Sequence, residues 1–371
     1  MPRLTTVKQP TETAGPTVEF VVSVPLDLMN AMYFTHLVVD SEGVEGWPVE
    51  VRKQMAPDLL AELDLLFSAP IEQPGIAGTL GDHLWEHPET WRSVEDLLAY
   101  VRNLPVGVAD AEGNIGVQGL FFNTQCDNQN NQFEGLDDPN RENLAARVKQ
   151  VGGDVKAVLA LWDNPEAVRE RLATMIERFY NEHYKTTLPD RVPVLERSVA
   201  AHRSTNIDNV ADVMKNVLKR DAFCVDMQCA GDYKKLIFAP SLDMGPWASC
   251  AILPEVHGMF YPCETRFVLG SDDAEETIRI ARIHKALGDE QRLRMLEMLR
   301  GGEMYVQEIV DRTGLHQSVV SRHLSFLKVV GLLQVRKQNN MKFYSLAPDA
   351  GHYLQKTLDM FAHAAPTGGL R

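Results

Sequence analysis

Cysteine is scarce in this chain. Its 371 residues hold only Cys126, Cys224, Cys229, Cys250 and Cys263. An odd, scattered set without the paired Cys-x-x-Cys spacing of zinc sites excludes a disulfide framework and favours core thiols, while a redox or metal role stays open. No apolar run is long enough to cross a membrane, and the start has no apolar signal core. We therefore expect a protein of the reducing cytoplasm with no membrane contact.

Positive charge is also in short supply. The 37 Lys and Arg residues face 51 Asp and Glu, for a formal net charge of −14. Residues 275–371 hold 14 Lys and Arg against 10 Asp and Glu, or +4, which leaves 23 against 41, or −18, for residues 1–274. Because an acidic body repels nucleic acid, only the C-terminal part is suited to meet phosphate.

The N-terminal part shows no Gly-rich phosphate loop and no nucleophile elbow, so it is not predicted to be an enzyme. Residues 1–16 are polar and predict a disordered arm. Residues 17–270 predict a large helical domain for sensing or assembly, with a small antiparallel sheet from the runs KKLIFA, ASCAIL and GMFYPC. Within it, residues 106–139 predict a long loop or lid, whose calcium-like pieces lack the Gly and the acid that a calcium loop needs.

The C-terminal part is dense in helix signals. Residues 271–276 predict a linker that doubles as a helix start, because acids favour the positive end of a helix dipole. In Gly314–Val330, Val320, Leu324 and Leu327 form one apolar stripe opposite short polar side chains. An ordinary amphipathic helix would explain this stretch equally well. The turn before it, and the hairpin predicted from LLQVR and MKFYSL after it, favour a helix-turn-helix with a wing.

These pieces strongly resemble the winged helix-turn-helix regulators of the arsenic-repressor family. The resemblance rests on Leu287-Gly288-Asp289 with Arg292-Leu293, on Ser318 and the run Val320–Leu324, and on Gly331-Leu332 followed by Tyr344 in the wing. It implies that residues 277–371 bind DNA and dimerise. The whole chain is then α+β, mainly α: a large helical N-terminal domain with a small sheet, plus a C-terminal winged helix-turn-helix.

The resemblance also implies a homodimer on a near-palindromic double-stranded operator, with two recognition helices in adjacent major grooves. The residues expected to read bases are Gln317, Ser318, Ser321 and Arg322. His323 is expected either to join them or, equally, to pack or contact phosphate. Those expected on the DNA backbone are Lys328, Arg336, Lys337 and Lys342. The last helix would bring an apolar face to the dimer interface through Leu354, Leu358 and Phe361.

The sequence departs from the family at its metal sites. The Cys-Val-Cys of many relatives reads Tyr305-Val306-Gln307 here, so that site is lost. His352 and His363 keep the spacing of a second family site, but Ala350 and Pro366 replace its carboxylates, and two histidines alone make a poor site. We therefore expect no metal and no other cofactor. His316 also stands where the family usually has a capping Ser, and His is a weaker cap.

Together these features predict a transcriptional regulator, a repressor, controlled through its N-terminal domain by an unidentified small-molecule effector. The alternative is an enzyme-like N-terminal domain fused to a winged helix that regulates its own gene. The missing catalytic signature argues against that alternative.

Overall fold

The computed structural model describes residues 17–39, 43–68, 75–122, 139–150, 152–202, 217, 234–253, 255–263, 272–338 and 341–362. The predicted arm, residues 1–16, lies outside them. The chain divides into two compact units with the main boundary after Cys263, whereas the sequence predicts a boundary at residue 270. We call them the N-terminal unit and the C-terminal unit.

The N-terminal unit is built mainly from helices. They are α1 (Val24–Leu37), α2 (Trp47–Gln54), α3 (Pro57–Ser68), α4 (Gly75–His83), α5 (Val94–Arg102), α6 (Arg141–Gln150), α7 (Val155–Trp162), α8 (Pro165–Phe179) and α9 (Leu188–His202). Short 3-10 turns at Leu84–Glu86 and Pro88–Trp91 follow α4. Among the described residues, no helix is both long and apolar enough to cross a membrane.

Helix α1 is the centre of this unit. Every residue from Val24 to Leu37 is buried except Tyr33, which is half-buried. The helix begins where Ser23 accepts a hydrogen bond from the Leu26 amide at 3.2 Å, and Pro25 suits the first turn because its missing N–H would have no partner there. A helix that is buried on all sides must be covered by its neighbours, so the other helices and the sheet enclose it.

The sheet of this unit is mixed. Its strands are β1 (Thr17–Phe20), β2 (Lys235–Ser241), β3 (Ser249–Ile252) and β4 (Val256–Pro262), in the order β1-β2-β4-β3. The pairs β1–β2 and β2–β4 are parallel, and only β3–β4 is antiparallel. The prediction of an antiparallel sheet from β2, β3 and β4 therefore holds for the β3–β4 pair and is wrong for the β2–β4 pair. Nearness in sequence suggested hairpins, but β3 takes the edge and β1 arrives from the distant start of the chain.

A buried polar network connects α1, α9 and the segment after β2. Arg191 donates to both carboxylate oxygens of Asp243, at 2.5 and 3.0 Å, and to Asp27 at 3.2 Å. Asp27 also accepts from Tyr184 at 2.5 Å and from Ser241 at 2.8 Å. All five side chains are at most 4% exposed. Because buried charges cost several kcal/mol unless they are paired, this network holds its elements together only while it is complete.

The C-terminal unit is a winged helix-turn-helix, which confirms the predicted class of the fold. Its elements are α10 (Asp272–Leu287), α11 (Glu290–Leu299), β5 (Met304–Tyr305), α12 (Val306–Thr313), α13 (Gln317–Val329), β6 (Leu333–Gln338), β7 (Met341–Leu346) and α14 (His352–Ala362). The sheet runs β5-β7-β6 and is antiparallel throughout. Most of the acidic run predicted as a linker lies in the first turns of α10.

Candidate nucleic-acid interface

Helix α13 is the second helix of the helix-turn-helix. Gly314 ends α12 in the left-handed conformation, at φ 67°, which a side chain rarely adopts. The predicted stripe of Val320, Leu324 and Leu327 is buried, at 0% exposure for each residue. Of the predicted base-reading residues, Gln317, Ser318 and Arg322 are exposed and Ser321 is half-buried. The structure thus brings a short polar surface to the N-terminal half of α13.

His316 caps α13 in place of the usual Ser. Its Nδ1 accepts from the Ser318 amide at 3.4 Å and lies 2.8 Å from the Ser318 hydroxyl. A ring nitrogen that accepts these hydrogen bonds must be unprotonated. The cap is long compared with a hydroxyl cap, which agrees with the weaker capping expected for His.

Arg292 supports α13 from beneath. Its Nε donates to the Ala286 carbonyl at 2.7 Å and its Nη2 to the Lys285 carbonyl at 2.9 Å, so it satisfies the last carbonyls of α10. Its guanidinium lies 5.1 Å from the centre of the Phe326 ring on α13. Burial lowers the pKa of Arg292. The family-like Asp289 and Arg292 are therefore structural, since Asp289 caps α11 by accepting from the Arg292 amide at 3.0 Å.

His323 does not lie with the other predicted base-reading residues on the exposed surface of α13. It is 6% exposed and lies on the packed side of α13 with Leu324. Burial, together with Arg292 and Arg322, lowers its pKa although Asp289 opposes the shift, so the ring is neutral at pH 7. A side chain this buried does not reach a base edge. Of the alternatives for His323, packing holds, because position 323 follows Val320 by three residues and so shares its face.

The wing carries the cations predicted for the DNA backbone. Tyr344 of β7 is buried and lies opposite Met304 on one side and Val335 on the other, which anchors the hairpin. Arg336 is exposed, but it forms a two-pronged ion pair with Glu303 at 2.5 and 3.1 Å and stacks on Phe343. Lys328 and Lys342 are half-buried, and the side chain of Lys337 lies outside the described residues.

Helix α14 packs against α10 in the C-terminal unit. The Thr357 hydroxyl lies 2.9 Å from Nε2 of His284, and Lys356 forms an ion pair with Glu276. Of the residues predicted for the dimer interface, Leu354 is half-buried and Leu358 is 62% exposed, while the side chain of Phe361 lies outside the described residues. An exposed leucine on a terminal helix is consistent with a covered face in a dimer.

The histidines and cysteines considered for metal binding are described only in part. His352 is exposed at the start of α14, and His363 lies outside the described residues. Across the described ranges, no three His, Cys, Asp or Glu side chains are grouped to hold a metal ion. Of the predicted core thiols, Cys250 and Cys263 are described; both are reduced and half-buried, whereas Cys126, Cys224 and Cys229 lie outside.

The N-terminal unit has a cleft that was not predicted from the sequence. It has a volume of about 400 Å³ and lies between the end of α4 and the loop 106–122. The sequence feature that could have pointed to this cleft is the spacing of His83, Glu86 and His87, which on one continuous helix is typical of metal-binding histidine pairs. Here α4 ends at His83 and a 3-10 turn follows, so the three side chains do not sit on one regular helix.

Comparison with known proteins places a family match on the C-terminal unit. The family model described as "Bacterial regulatory protein, arsR family" matches residues 289–335. An uncharacterized HTH-type transcriptional regulator of Methanocaldococcus jannaschii is 35% identical over 86 residues, which are 23% of this chain and 97% of that protein. The transcriptional activator HlyU of Vibrio cholerae is 41% identical over 63 residues, 17% of this chain and 58% of that protein.

Solved structures show a similar partial match. The homodimeric winged helix-turn-helix DNA-binding domain of a possible regulator from Mycobacterium bovis is 28% identical. It covers 27% of this chain and 96% of that chain, with a TM-score of 0.22. These matches span about a quarter of the chain or less, so the larger N-terminal unit must be understood from its own residues.

Proposed function

The chain belongs to the arsR family of bacterial regulatory proteins, and from this premise we propose that it is a cytoplasmic repressor that binds an operator as a homodimer. The observation that carries the proposal is the exposed polar surface of α13, formed by Gln317, Ser318 and Arg322 on a well-packed helix. The major groove admits an α-helix, and these side chains have the hydrogen-bonding groups that read base edges. Ser321 lies half-buried beside them.

Phosphate contacts would come from the cations around α13. Lys328 lies near the end of the helix, and Arg336, Lys337 and Lys342 follow in the wing. Such contacts position a protein on the duplex without reading its sequence. The net charge of +4 in residues 275–371 supports this arrangement, because the acidic remainder of the chain offers phosphate no attraction.

A homodimer is supported by the exposed Leu358 on α14, whose face is otherwise left to solvent. Two copies related by a twofold axis present two α13 helices about one DNA turn apart. The operator would accordingly be a near-palindrome of double-stranded DNA.

Control would come from the N-terminal unit. Tyr305 and Gln307 occupy the positions of the usual metal-binding cysteines, so the signal must enter elsewhere. An effector bound in the N-terminal unit acts only if it binds the DNA-competent and DNA-incompetent dimers with different affinities. The rival function, an enzyme-like N-terminal unit, gains nothing from the buried Arg191 network, because its groups bond one another and are closed to substrate.

The test begins with capture of sheared genomic DNA by the full-length protein, followed by sequencing and a search for a shared dyad. Arg322→Ala should weaken binding to that dyad by about 1–3 kcal/mol, or roughly 5- to 150-fold, in a fluorescence anisotropy titration at fixed salt. Arg294→Ala removes the same charge from α11 and should bind nearly as the unaltered protein does. The proposal fails if no dyad emerges and Arg322→Ala binds DNA normally.

The direction of regulation needs a separate measurement. A reporter gene placed behind the recovered operator should be more active in cells that lack the protein than in cells that make it. Greater activity in the presence of the protein would show an activator and overturn the repressor assignment.

A further inference from the structure

The cleft in the N-terminal unit has both polar and apolar walls. His83, Glu86 and His87 line one side, and Val108, Ile115 and Phe122 supply apolar surface. A volume of about 400 Å³ lies within the range of small-molecule sites. A cleft of this composition suits a ligand with one polar end and one apolar body.

The wall formed by the loop 106–122 is preformed. The Gly116 amide donates to the Val108 carbonyl at 2.8 Å, and the Val117 amide donates to the Pro105 carbonyl at 2.7 Å. A Cβ atom at Gly116 would lie 2.2 Å from the Gly107 carbonyl oxygen, so only glycine lets the two sides of this loop approach so closely. A wall held in this way needs no ordering when a ligand enters, which lowers the entropic cost of binding.

Two buried polar atoms lack hydrogen-bond partners among the described residues, one on a lining residue of the cleft and one on a residue that packs against the lining. They are Nε2 of His83, which lines the cleft, and the hydroxyl of Tyr100, whose ring packs on His87 with centres 4.7 Å apart. Buried polar atoms in folded proteins nearly always have a partner. The His83 side chain at the edge of the cleft therefore has hydrogen-bonding capacity that the described residues leave unused.

The charges at the cleft favour a cation. The described lining residues include no Lys or Arg. Burial is the main cause that raises the pKa of Tyr100. The carboxylates of Glu89, Glu86 and Asp110 raise this pKa further, which indicates a negative electrostatic field around Tyr100. Burial, with a smaller contribution from His87, lowers the pKa of His83 to about 4, so its ring is neutral at pH 7. Its Nδ1 lies 3.9 Å from the Glu86 carboxylate.

We propose that this cleft binds a small organic ammonium ion with an aromatic or branched apolar body. The ammonium group would meet the Glu86 carboxylate, while the body packs on Val108, Ile115 and Phe122. The ring of Phe122 adds a surface that attracts cations. The role of such a ligand as effector rests on the proposed function as a regulator, but its binding does not.

The test is isothermal titration calorimetry of the full-length protein, without DNA, using 2-phenylethylammonium as the probe. We expect saturable binding at one site per chain. The uncharged 2-phenylethanol has the same size and should bind at least about tenfold more weakly, and 3-phenylpropanoate should not bind. The proposal is overturned if the amine does not saturate the protein by about 10 mM, or if the alcohol binds as well as the amine.

Variants locate the site. Glu86→Gln should weaken binding of the amine about tenfold or more, whereas Glu50→Gln, on the exposed surface of α2 and outside the lining, should change it by less than about threefold. Ala109→Phe fills an exposed lining position and should block binding, whereas Ala111→Phe in the same loop should not. If Glu86→Gln and Ala109→Phe both bound the amine as tightly as the unaltered protein does, the amine would bind elsewhere and the proposal would be refuted.

A DNA arm separates this proposal from the proposed function. Binding of the amine that also changes operator affinity supports both. Binding that leaves operator affinity unchanged keeps the cleft and removes its role as an effector site. Failure of the amine to bind, with normal operator binding, refutes the cleft and leaves the regulator intact.

Discussion

The two units of this chain use arginine in opposite ways. In the N-terminal unit, Arg191 is 4% exposed and its donors are taken by Asp243, Asp27 and Thr187. In the C-terminal unit, Arg322 stands exposed on α13. Burial lowers the pKa of Arg191, but the Asp243 and Asp27 carboxylates outweigh it and raise the pKa. The contrast teaches that the surroundings of an arginine, and not its charge, decide whether it stabilises the fold or meets a partner.

The largest effect expected is that of Arg191→Met. This change leaves Asp27 and Asp243 buried without their cation, and breaking such a network costs about 3–5 kcal/mol of the free energy of unfolding. Urea denaturation followed by circular dichroism would measure it. Arg178→Met is the matched control, because Arg178 pairs with Asp58 and Glu182 at an exposed position and its loss should not shift the transition measurably. If the two variants were equally stable, the contrast between buried and surface arginines would be contradicted.

A second arginine sharpens the comparison within the C-terminal unit. Arg292→Met should lower the free energy of unfolding by about 2 kcal/mol, since hydrogen bonds from the guanidinium to the Ala286 and Lys285 carbonyls are lost. The methionine can still pack on Phe326. Thermal unfolding would show the loss, with Arg294→Met on the exposed side of α11 as the control. If Arg292→Met kept its stability and lost only DNA affinity, Arg292 would belong with Arg322.

Asp64 is a half-buried, intermediate case, and its contribution to the stability of the fold should depend on pH. Burial alone would raise its pKa, but hydrogen bonds from Arg52 and His36 outweigh it and hold the pKa below its usual value. A lowered pKa stabilises the fold above the unfolded-state pKa of about 4, and this contribution is lost as the pH falls further. Asp64→Asn should therefore cost about 1 kcal/mol near pH 7, an amount limited by solvent screening.

Denaturation of Asp64→Asn and the unaltered protein from pH 7 to pH 3 would check this. The difference between the two should shrink below about pH 4. A difference that stayed constant over this range would mean that the asparagine acts by shape and not by charge. Asp58→Asn, at an exposed ion pair, is the control.

The smallest expected effect concerns Arg336, which lies between the two extremes. Glu303 occupies its guanidinium in the free protein. Glu303→Gln should release it and tighten operator binding severalfold at low salt, with a salt slope steeper by up to about one. Glu290→Gln removes the same charge from the exposed Arg294 pair and should have less effect. Unchanged affinity in Glu303→Gln would mean that Arg336 does not meet the backbone.

The parts of the fold that sequence reasoning predicted correctly depend on short-range patterns. The buried stripe of α13 follows from helical spacing, and the wing follows from two alternating runs joined by a turn. The match to the family covers the same region. Even here, His323 shows that polarity alone misleads, since its spacing from Val320 puts it on the packed face.

The N-terminal unit resisted prediction because its decisive contacts are distant in sequence. β1 pairs with β2 across more than two hundred residues, from Thr17 to Lys235. In the sequence, nothing distinguishes Asp27 and Asp243 from the many other acids of the N-terminal part. Their burial becomes visible only when Arg191 of α9 is seen between them.

The sequence by itself determined the winged helix-turn-helix, because periodicity, caps and turns act over a few residues and are written in order along the chain. The tertiary structure decided which charges are sealed and which are offered to a partner. It also assembled the cleft, by bringing the loop 106–122 against the end of α4. The physical reason is that burial and pairing depend on neighbours in space, which spacing along the chain does not specify.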